Sequence, residues 1–203
     1  MGWWKFDESG TSTIFDSSGY NLSGIMWQGN TSGVDFHTST NCKLGLGCFS
    51  SNGTDSYAQL PNIASAYSGI TVSGWVKKTT GTAGTVVRSW GNYWYLDFEN
   101  GVTALRFGVN AQWSMSNSGY PDNGAWHFVL GTFDGSTVKR YVDANLIGQS
   151  NYTYSIPSVF TATISGSAAK FGYGSINGLI DDVRIYNRAL SASEIQALYN
   201  ATK

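Results

Sequence analysis

Charged residues are scarce in this chain of 203 residues. Lys, Arg, Asp and Glu together make up 12% of it, and the net charge is −1. With no basic surface to hold a phosphate backbone, we do not expect a nucleic-acid partner. No apolar run approaches the roughly 18 residues of a membrane-spanning helix, so membrane insertion is not expected either.

Residues that carry catalysis or bind transition metals are also few. The two histidines, His37 and His127, are isolated in the sequence, which argues against zinc. His127 lies in a strand pattern, where a packed, hydrogen-bonded histidine is expected. No nucleophile elbow or phosphate-binding loop occurs. Asp97 and Glu99 place two carboxylates on one strand face, but Asn100 and Gly101 end that strand at once. We therefore predict that the chain is not an enzyme.

Only two cysteines are present. Cys42 and Cys48 enclose Lys-Leu-Gly-Leu-Gly, a segment flexible enough to close a local disulfide, although two buried free thiols are the alternative. Five Asn-x-Ser/Thr sequences fit a glycosylated surface protein, but a chain rich in these residues contains some by chance. The chain begins Met-Gly-Trp without the apolar core of a signal peptide. We expect an extracellular or cell-surface domain that forms part of a longer protein.

Glycine and aromatic residues are abundant instead. The 25 glycines and the 15% of aromatic residues are typical of short strands joined by many turns. Alternating apolar residues predict about a dozen strands, among them Ile70–Lys77, Trp126–Phe133 and Phe171–Tyr173. Asp134-Gly-Ser136 predicts a hairpin. Ser191-Ala-Ser-Glu194 predicts a capping box that opens a short terminal helix. We predict a single all-β domain over residues 1–203.

Several motifs in this order resemble the laminin G-like, concanavalin A-like jelly-roll domains of secreted and surface proteins. They are Trp4-x-Phe-Asp-Glu8, Asp16-x-Ser-Gly19, Val72-Ser-Gly-Trp-Val-Lys77, Trp126-His-Phe-Val129, Thr132-Phe-Asp-Gly-Ser136, Tyr141-Val-Asp143 and Gly178-x-Ile-Asp-Asp-Val-Arg-Ile-Tyr-Asn-Arg-Ala-Leu190. The resemblance implies a sandwich of two antiparallel sheets with a role in carbohydrate binding or adhesion, and often a calcium site. Asp143-Ala-Asn145 departs from it, since the family usually has Asp-Gly at this turn. The Glu-x-Asp-x-Glu strand of the glucanases in this superfamily is absent, which further disfavours catalysis.

A possible metal site involves Asp181 in the last predicted strand. Strand alternation places this carboxylate on the same face as Leu179, Val183 and Ile185, where it needs a cation or several hydrogen-bond donors. In the resembled fold the first and last strands are neighbours, so Asp16 and Asn21 could join Asp181 around a structural calcium ion. The alternative is that backbone N–H groups alone satisfy Asp181.

A possible sugar-binding face lies on the middle strands. If the Leu and Phe faces of these strands form the core, a mixed aromatic and polar set collects on the opposite, concave side and its rim. This set comprises Trp90, Tyr93, Tyr95, Arg106, Asn110, Trp113 and Tyr120. Aromatic rings would stack on sugar C–H faces while the polar groups bond hydroxyls. Several of these residues could instead belong to the core or to a protein interface.

We therefore expect a calcium-stabilised, non-catalytic carbohydrate-binding module whose partner is a polysaccharide or glycoconjugate. A protein–protein adhesion or purely structural module of a surface protein is the second hypothesis. A glycoside hydrolase or lyase is the third.

Overall fold

The structure is a computed structural model that describes residues 1–29, 31–33, 36–38, 40–65, 67–99, 104–110, 112–114, 120–166 and 174–203, with the backbone only at 112–114. Within these ranges the chain forms nineteen strands, one 3₁₀ turn at Trp90–Asn92 and one α-helix. The strands are Gly2–Trp4 (β1), Thr13–Ile14 (β2), Gly24–Gln28 (β3), Thr31–Ser32 (β4), His37–Thr38 (β5), Cys48–Asn52 (β6), Ser56–Gln59 (β7), Ile63–Ala64 (β8), Ile70–Lys78 (β9), Gly84–Ser89 (β10), Trp94–Phe98 (β11), Leu105–Val109 (β12), Gln112–Ser114 (β13), His127–Phe133 (β14), Thr137–Val142 (β15), Asn145–Asn151 (β16), Val159–Phe160 (β17), Ala162–Ile164 (β18) and Asn177–Tyr186 (β19). The helix, α1, is Ala192–Thr202.

Two large antiparallel sheets form the domain, which confirms the predicted jelly-roll sandwich. The eight-stranded sheet has the order β16-β15-β14-β9-β19-β6-β5, with β1 also paired to β19. The nine-stranded sheet has the order β13-β12-β11-β10-β18-β7-β3-β2, with β4 paired to β3. The first strand is thus hydrogen-bonded to the last, as predicted, and β17 and β8 form a small separate ribbon.

The core lies between the two sheets. Each central strand contributes every second side chain to it, which is why the sequence alternates. Trp94, Leu96 and Phe98 of β11 are at most 1% exposed. Val72 and Val76 of β9 belong to the same core and face them from the other sheet. Burial of this much apolar surface provides most of the driving force for folding.

The terminal helix covers the outer face of the eight-stranded sheet. The Ser191 side chain accepts a hydrogen bond from the Glu194 N–H, and the Glu194 side chain bonds back to Ser191, so the predicted capping box is confirmed. Ile195 is fully buried in a second apolar cluster with Trp75, whose indole N–H donates to Thr202 at 3.1 Å. The outer face of the nine-stranded sheet has no such helix among the described residues.

The alternation of β19 differs from the prediction at one point. Val183 and Ile185 belong to the inner core, but Asp181 pairs with Trp75 of the outer cluster and therefore shares its face. The register shifts between residues 181 and 184, and Asp182 there has a φ of 50°. This β-bulge adds one residue, which reverses the alternation on either side of it. Asp181 is consequently buried beneath the outer face of the sheet and not inside the sandwich.

Two local predictions, a hairpin and a packed histidine, agree with the structure. The hairpin at residues 134–136 joins β14 to β15, as expected. His127 is packed and hydrogen-bonded to Asp143 at 2.8 Å and to Asn123 at 3.0 Å, also as expected. The polar strand β16 was not predicted. The proposed strand at residues 171–173 lies outside the described residues. No helix in the described part of the chain has the length and apolarity to cross a membrane.

Candidate functional site

A row of directly paired residues crosses the outer face of the nine-stranded sheet. We call it the outer row, and its members, from β12 to β2, are Gly108, Tyr95, Arg88, Thr163, Gln59, Ile25 and Thr13. Directly opposed residues in antiparallel strands share a face. The flanking positions on these strands belong to the core, so the outer row points away from it. The row combines aromatic, hydroxyl, amide and guanidinium groups.

The predicted residues Tyr95 and Arg106 both lie on this face, but they are buried there. Tyr95 is 4% exposed and Arg106 is 3% exposed. Arg106 donates to both carboxylate oxygens of Asp97, at 2.8 and 2.9 Å, and to Glu99 at 3.2 Å. Burial opposes the charge of Arg106, but the bonds to Asp97 more than offset it and raise the pKa of Arg106. The group is therefore a firmly held ionic cluster that fixes this end of the face.

Trp90 and its neighbours form an accessible turn at one end of strands β10 and β11 of the same sheet. Trp90 begins the 3₁₀ turn between β10 and β11 and is 44% exposed. Tyr93 is half-buried against the core, and its carbonyl accepts a hydrogen bond from the exposed Asn110 at 3.0 Å. Asn92 in this turn accepts a bond from Arg88 of the outer row at 2.5 Å. The turn thus joins the exposed indole to the outer row.

A second aromatic group on this face was missed by the sequence analysis. Trp27 and Tyr57 pair across β3 and β7 and stack at 6.2 Å with ring planes 7° apart. Ile25 and Gln59 lie on the same side of these two strands, and Ile25 is 46% exposed. Burial alternates along Gly24–Gln28, but the sequence Gly-Ile-Met-Trp-Gln has no polar residue before Gln28, so no alternation of residue types indicated that Ile25 and Trp27 face outward.

Tyr120 and Trp113 are the remaining predicted ligand residues. Tyr120 was expected at the rim, but it is 7% exposed and packs in the core, with its ring 4.6 Å from Phe98 and 5.4 Å from His127. Tyr120 is therefore more buried than expected of a rim residue, and its contact with a ligand stays a prediction. Trp113 lies in β13 with its backbone opposite Gly108, and its side chain is outside the described residues.

The predicted metal residues do not form one site. Both oxygens of Asp16 accept hydrogen bonds: Oδ1 from Trp3 and Ser18 backbone N–H groups, and Oδ2 from the Ser18 hydroxyl and the Leu22 N–H. Partial burial opposes ionisation, yet these bonds keep the pKa of Asp16 below its usual value. Asn21 is exposed in the same turn. Asp16 is therefore satisfied by the protein itself, and this turn does not contribute to the cavity around Asp181.

Asp181 instead borders a cavity of about 320 Å³ on the outer side of β19. The wall of this cavity is formed by Trp3, Lys5, Asp7, Leu44, Gly45, Asp181, Asp182, Arg184, Ala201 and Thr202. Asp181 is fully buried and Asp182 is 2% exposed. Within the described residues, Oδ1 of Asp181 and Oδ2 of Asp182 have no hydrogen-bond partner, whereas Oδ1 of Asp182 accepts bonds from the Trp3 indole N–H and from Arg184. Burial raises the pKa of Asp181 to about 7.

The remaining oxygen of Asp181 is held by a loop that a disulfide closes. Cys42 and Cys48 are bonded, which confirms the predicted pairing. Asp181 Oδ2 accepts hydrogen bonds from the Lys43 and Leu44 N–H groups at 3.1 and 2.9 Å. The backbone N–H groups of Leu44, Lys43 and Asp182 oppose the rise in the pKa of Asp181, as in the alternative to calcium, and those of the loop reach only Oδ2. Among the described residues no three His, Cys, Asp or Glu side chains are grouped so as to hold a metal ion.

The chain resembles a known protein family and several solved structures. The family model of the concanavalin A-like lectin/glucanase superfamily matches residues 52–196. The chain belongs to this superfamily. The matched range includes strands β7 to β19. It contains five members of the outer row: Gln59, Arg88, Tyr95, Gly108 and Thr163. No curated protein sequence matches the chain.

Solved structures share the fold of this superfamily member at low sequence identity. Domain 4 of the extracellular arabinanase AbnA from Geobacillus stearothermophilus, solved with arabinotriose, is 21% identical, with a TM-score of 0.76 over 98% of this chain and 97% of that one. A structure of botulinum neurotoxin type C, whose cell entry depends on interaction with two ganglioside molecules, is 18% identical with a TM-score of 0.70. The binding domain of botulinum neurotoxin DC, in complex with rat synaptotagmin II, is 18% identical with a TM-score of 0.68. Each of these two matches covers all of this chain but only 51% of the toxin chain.

Proposed function

We propose that this superfamily member is a non-catalytic carbohydrate-binding module of a secreted or cell-surface protein, and that the accessible part of its outer face, at Ile25, Gln59 and the Trp90 turn, binds the glycan. The observation that carries the proposal is the combination of exposed aromatic, apolar and amide groups on a face over which the described residues place no helix. The arabinotriose complex of a domain with the same fold over nearly its whole length supports the choice of ligand class.

The chemistry of the face suits a glycan. Exposed rings such as Trp90 stack against the C–H faces of sugars, and they lose little conformational entropy in doing so. Gln59 and Asn110 provide amide groups for sugar hydroxyls. The carboxylates of Asp97 and Glu99 are bonded to Arg106. A neutral glycan is therefore the best fit.

The same ionic cluster argues against catalysis by Asp97 and Glu99. A glycosidase needs one carboxyl group free to protonate the leaving group and another free to act as nucleophile or base. Here both oxygens of Asp97 accept bonds from Arg106, which also bonds Glu99. Turnover of a polysaccharide that is lost on Asp97→Asn would contradict this assignment.

A glycan array that includes arabinan oligosaccharides and ganglioside head groups tests the proposal. We expect the parent to bind at least one glycan and Trp90→Ala to weaken that binding about tenfold, which corresponds to the 1.4 kcal/mol typical of one aromatic contact. Leu146→Ala is the matched control, because Leu146 is 51% exposed and lies in β16 of the other sheet. Equal losses in the two variants would reject the outer face as the site.

Protein adhesion is the alternative function. A toxin domain of this fold is known in complex with synaptotagmin II, a protein partner. The exposed Ile25 beside the Trp27–Tyr57 stack would suit an apolar contact of that kind. Absence of binding to every glycan tested would favour this second function.

We also propose that a structural calcium ion binds in the cavity beside Asp181. The fit rests on the two buried oxygens of Asp181 and Asp182 that lack partners. Calcium binds six to eight oxygens and completes its shell with carbonyl groups and water, so two carboxylates are enough to begin a site. When bound, the ion would offset the charge of Asp181, since Asp182 already pairs with Arg184 at 3.0 Å, and would tie β19 to the disulfide loop. Calcium should raise the thermal midpoint of the wild type but not of Asp181→Asn, and an equal rise in both would reject the site.

A further inference from the structure

The loop between Cys42 and Cys48 connects two carboxylates at the edge of the Asp181 cavity. Its first two N–H groups, of Lys43 and Leu44, bond to Asp181. Its last two, of Leu46 and Gly47, bond to Oδ1 of Asp7 at 2.5 and 3.2 Å. Four of the five residues within the disulfide ring therefore donate to a wall of the cavity.

The loop also forms part of the cavity surface. Leu44 and Gly45 line it directly, and the Lys43 ammonium group lies 4.1 Å from the centre of the Trp75 ring under the helix. The bonds from Lys43 and Leu44 use Oδ2 of Asp181, so Oδ1 is the oxygen left without a partner. The closed loop thus orients the carboxylate toward the cavity.

The disulfide keeps this short loop in one conformation. A crosslink over few residues removes conformations that the open loop would otherwise sample. If the bond opens, Asp181 loses donors that hold its orientation, and the loop must be ordered again each time a cation binds. Such preorganisation increases affinity, because less conformational entropy is lost when the ligand binds.

We propose that the redox state of the Cys42–Cys48 disulfide controls cation affinity at the Asp181 and Asp182 cavity, with the oxidised form binding tightly and the reduced form weakly. The inference rests on the proposed calcium site. Reduction requires a dithiol: its two thiols give two electrons and two protons, the Cys42–Cys48 bond breaks to two thiols, and the dithiol becomes a cyclic disulfide.

Calcium titration by calorimetry tests the proposal on three forms of the whole chain: oxidised wild type, Cys42→Ser/Cys48→Ser, and Leu146→Ala. We expect affinity to fall about tenfold in the double variant, as for a moderate coupling between two sites. Leu146→Ala should bind like the wild type, because it removes a 51% exposed side chain in β16, which is part of neither the loop nor the cavity. Equal affinity in the oxidised and open-loop forms would overturn the linkage.

A second measurement needs no variant and covers the case in which the double variant does not fold. Linkage is reciprocal, so calcium must make the wild-type disulfide harder to reduce by the same factor. We expect the equilibrium constant for reduction by a dithiol to fall about tenfold at saturating calcium. An unchanged constant would overturn the proposal, and so would absence of calcium binding by the oxidised wild type. In that last case glycan binding would still be present, which separates this failure from failure of the carbohydrate-binding proposal.

Discussion

Replacement of Arg106 by Met should destabilise the domain strongly. Asp97 is 1% exposed and receives two bonds from Arg106, so the variant keeps a buried carboxylate without its bidentate partner. Removal of one member of a buried ion pair typically costs about 3–5 kcal/mol. For a domain of this size that corresponds to a fall of roughly 6–20 °C in the thermal midpoint.

The pH dependence of this loss has a definite sign. Burial already raises the pKa of Asp97 in the folded protein, and loss of Arg106 raises it further. A raised folded-state pKa favours the protonated form, so this group's contribution to stability is greatest at acidic pH and is lost as pH rises through the folded-state pKa. The difference in unfolding free energy between Arg106→Met and the wild type should therefore decrease toward pH 4 and increase toward neutral pH.

The double variant Asp97→Leu/Arg106→Met is the matched control for this experiment. It removes both charges and should recover much of the stability lost in Arg106→Met. Thermal unfolding followed by circular dichroism at several pH values measures all three proteins. A loss below about 1 kcal/mol in Arg106→Met, within the range of exposed ion pairs, would refute the argument that the cluster is buried and structural.

Three further substitutions test the fold. Ala144→Gly should stabilise the domain by about 0.5–1 kcal/mol, because Ala144 has a φ of 64° in the turn between β15 and β16, where glycine carries no Cβ penalty; an unchanged urea midpoint would contradict this. Ile195→Ala should destabilise it by about 2–4 kcal/mol through loss of the fully buried contact under the helix, measured by the same urea titration. Ser191→Ala should lower the free energy of unfolding by about 1 kcal/mol, because it removes the capping box. A loss as large as that of Ile195→Ala would contradict this.

Elements with strong local signals could be predicted from the sequence. The capping box at Ser191 and the hairpin at Asp134 depend on contacts within a few residues, so local pattern suffices for both. The disulfide could be predicted for the same reason, since only two cysteines exist and five residues separate them. The pairing of β1 with β19 came from the family resemblance and not from any local signal.

The environment of individual polar residues could not be predicted in the same way. Strict alternation placed Asp181 on the core side of β19, and only the bulge at Asp182 reverses this. The donors to Asp181 come from residues 43 and 44, more than 130 positions away, and no pattern in either segment announces the contact. Tyr120 was expected at a rim because it ends a polar segment, yet the ring reaches back to Phe98 in the core.

We propose that a neutral glycan binds at Ile25, Gln59 and the Trp90 turn. Titration of isotope-labelled protein with the glycan identified on the array, followed by two-dimensional NMR, tests it most directly. We predict that the amide shifts that change will cluster at Ile25, Gln59 and Trp90 and leave the helix Ala192–Thr202 unaffected. Changes confined to the helix side of the domain, or none at saturating glycan, would contradict the account.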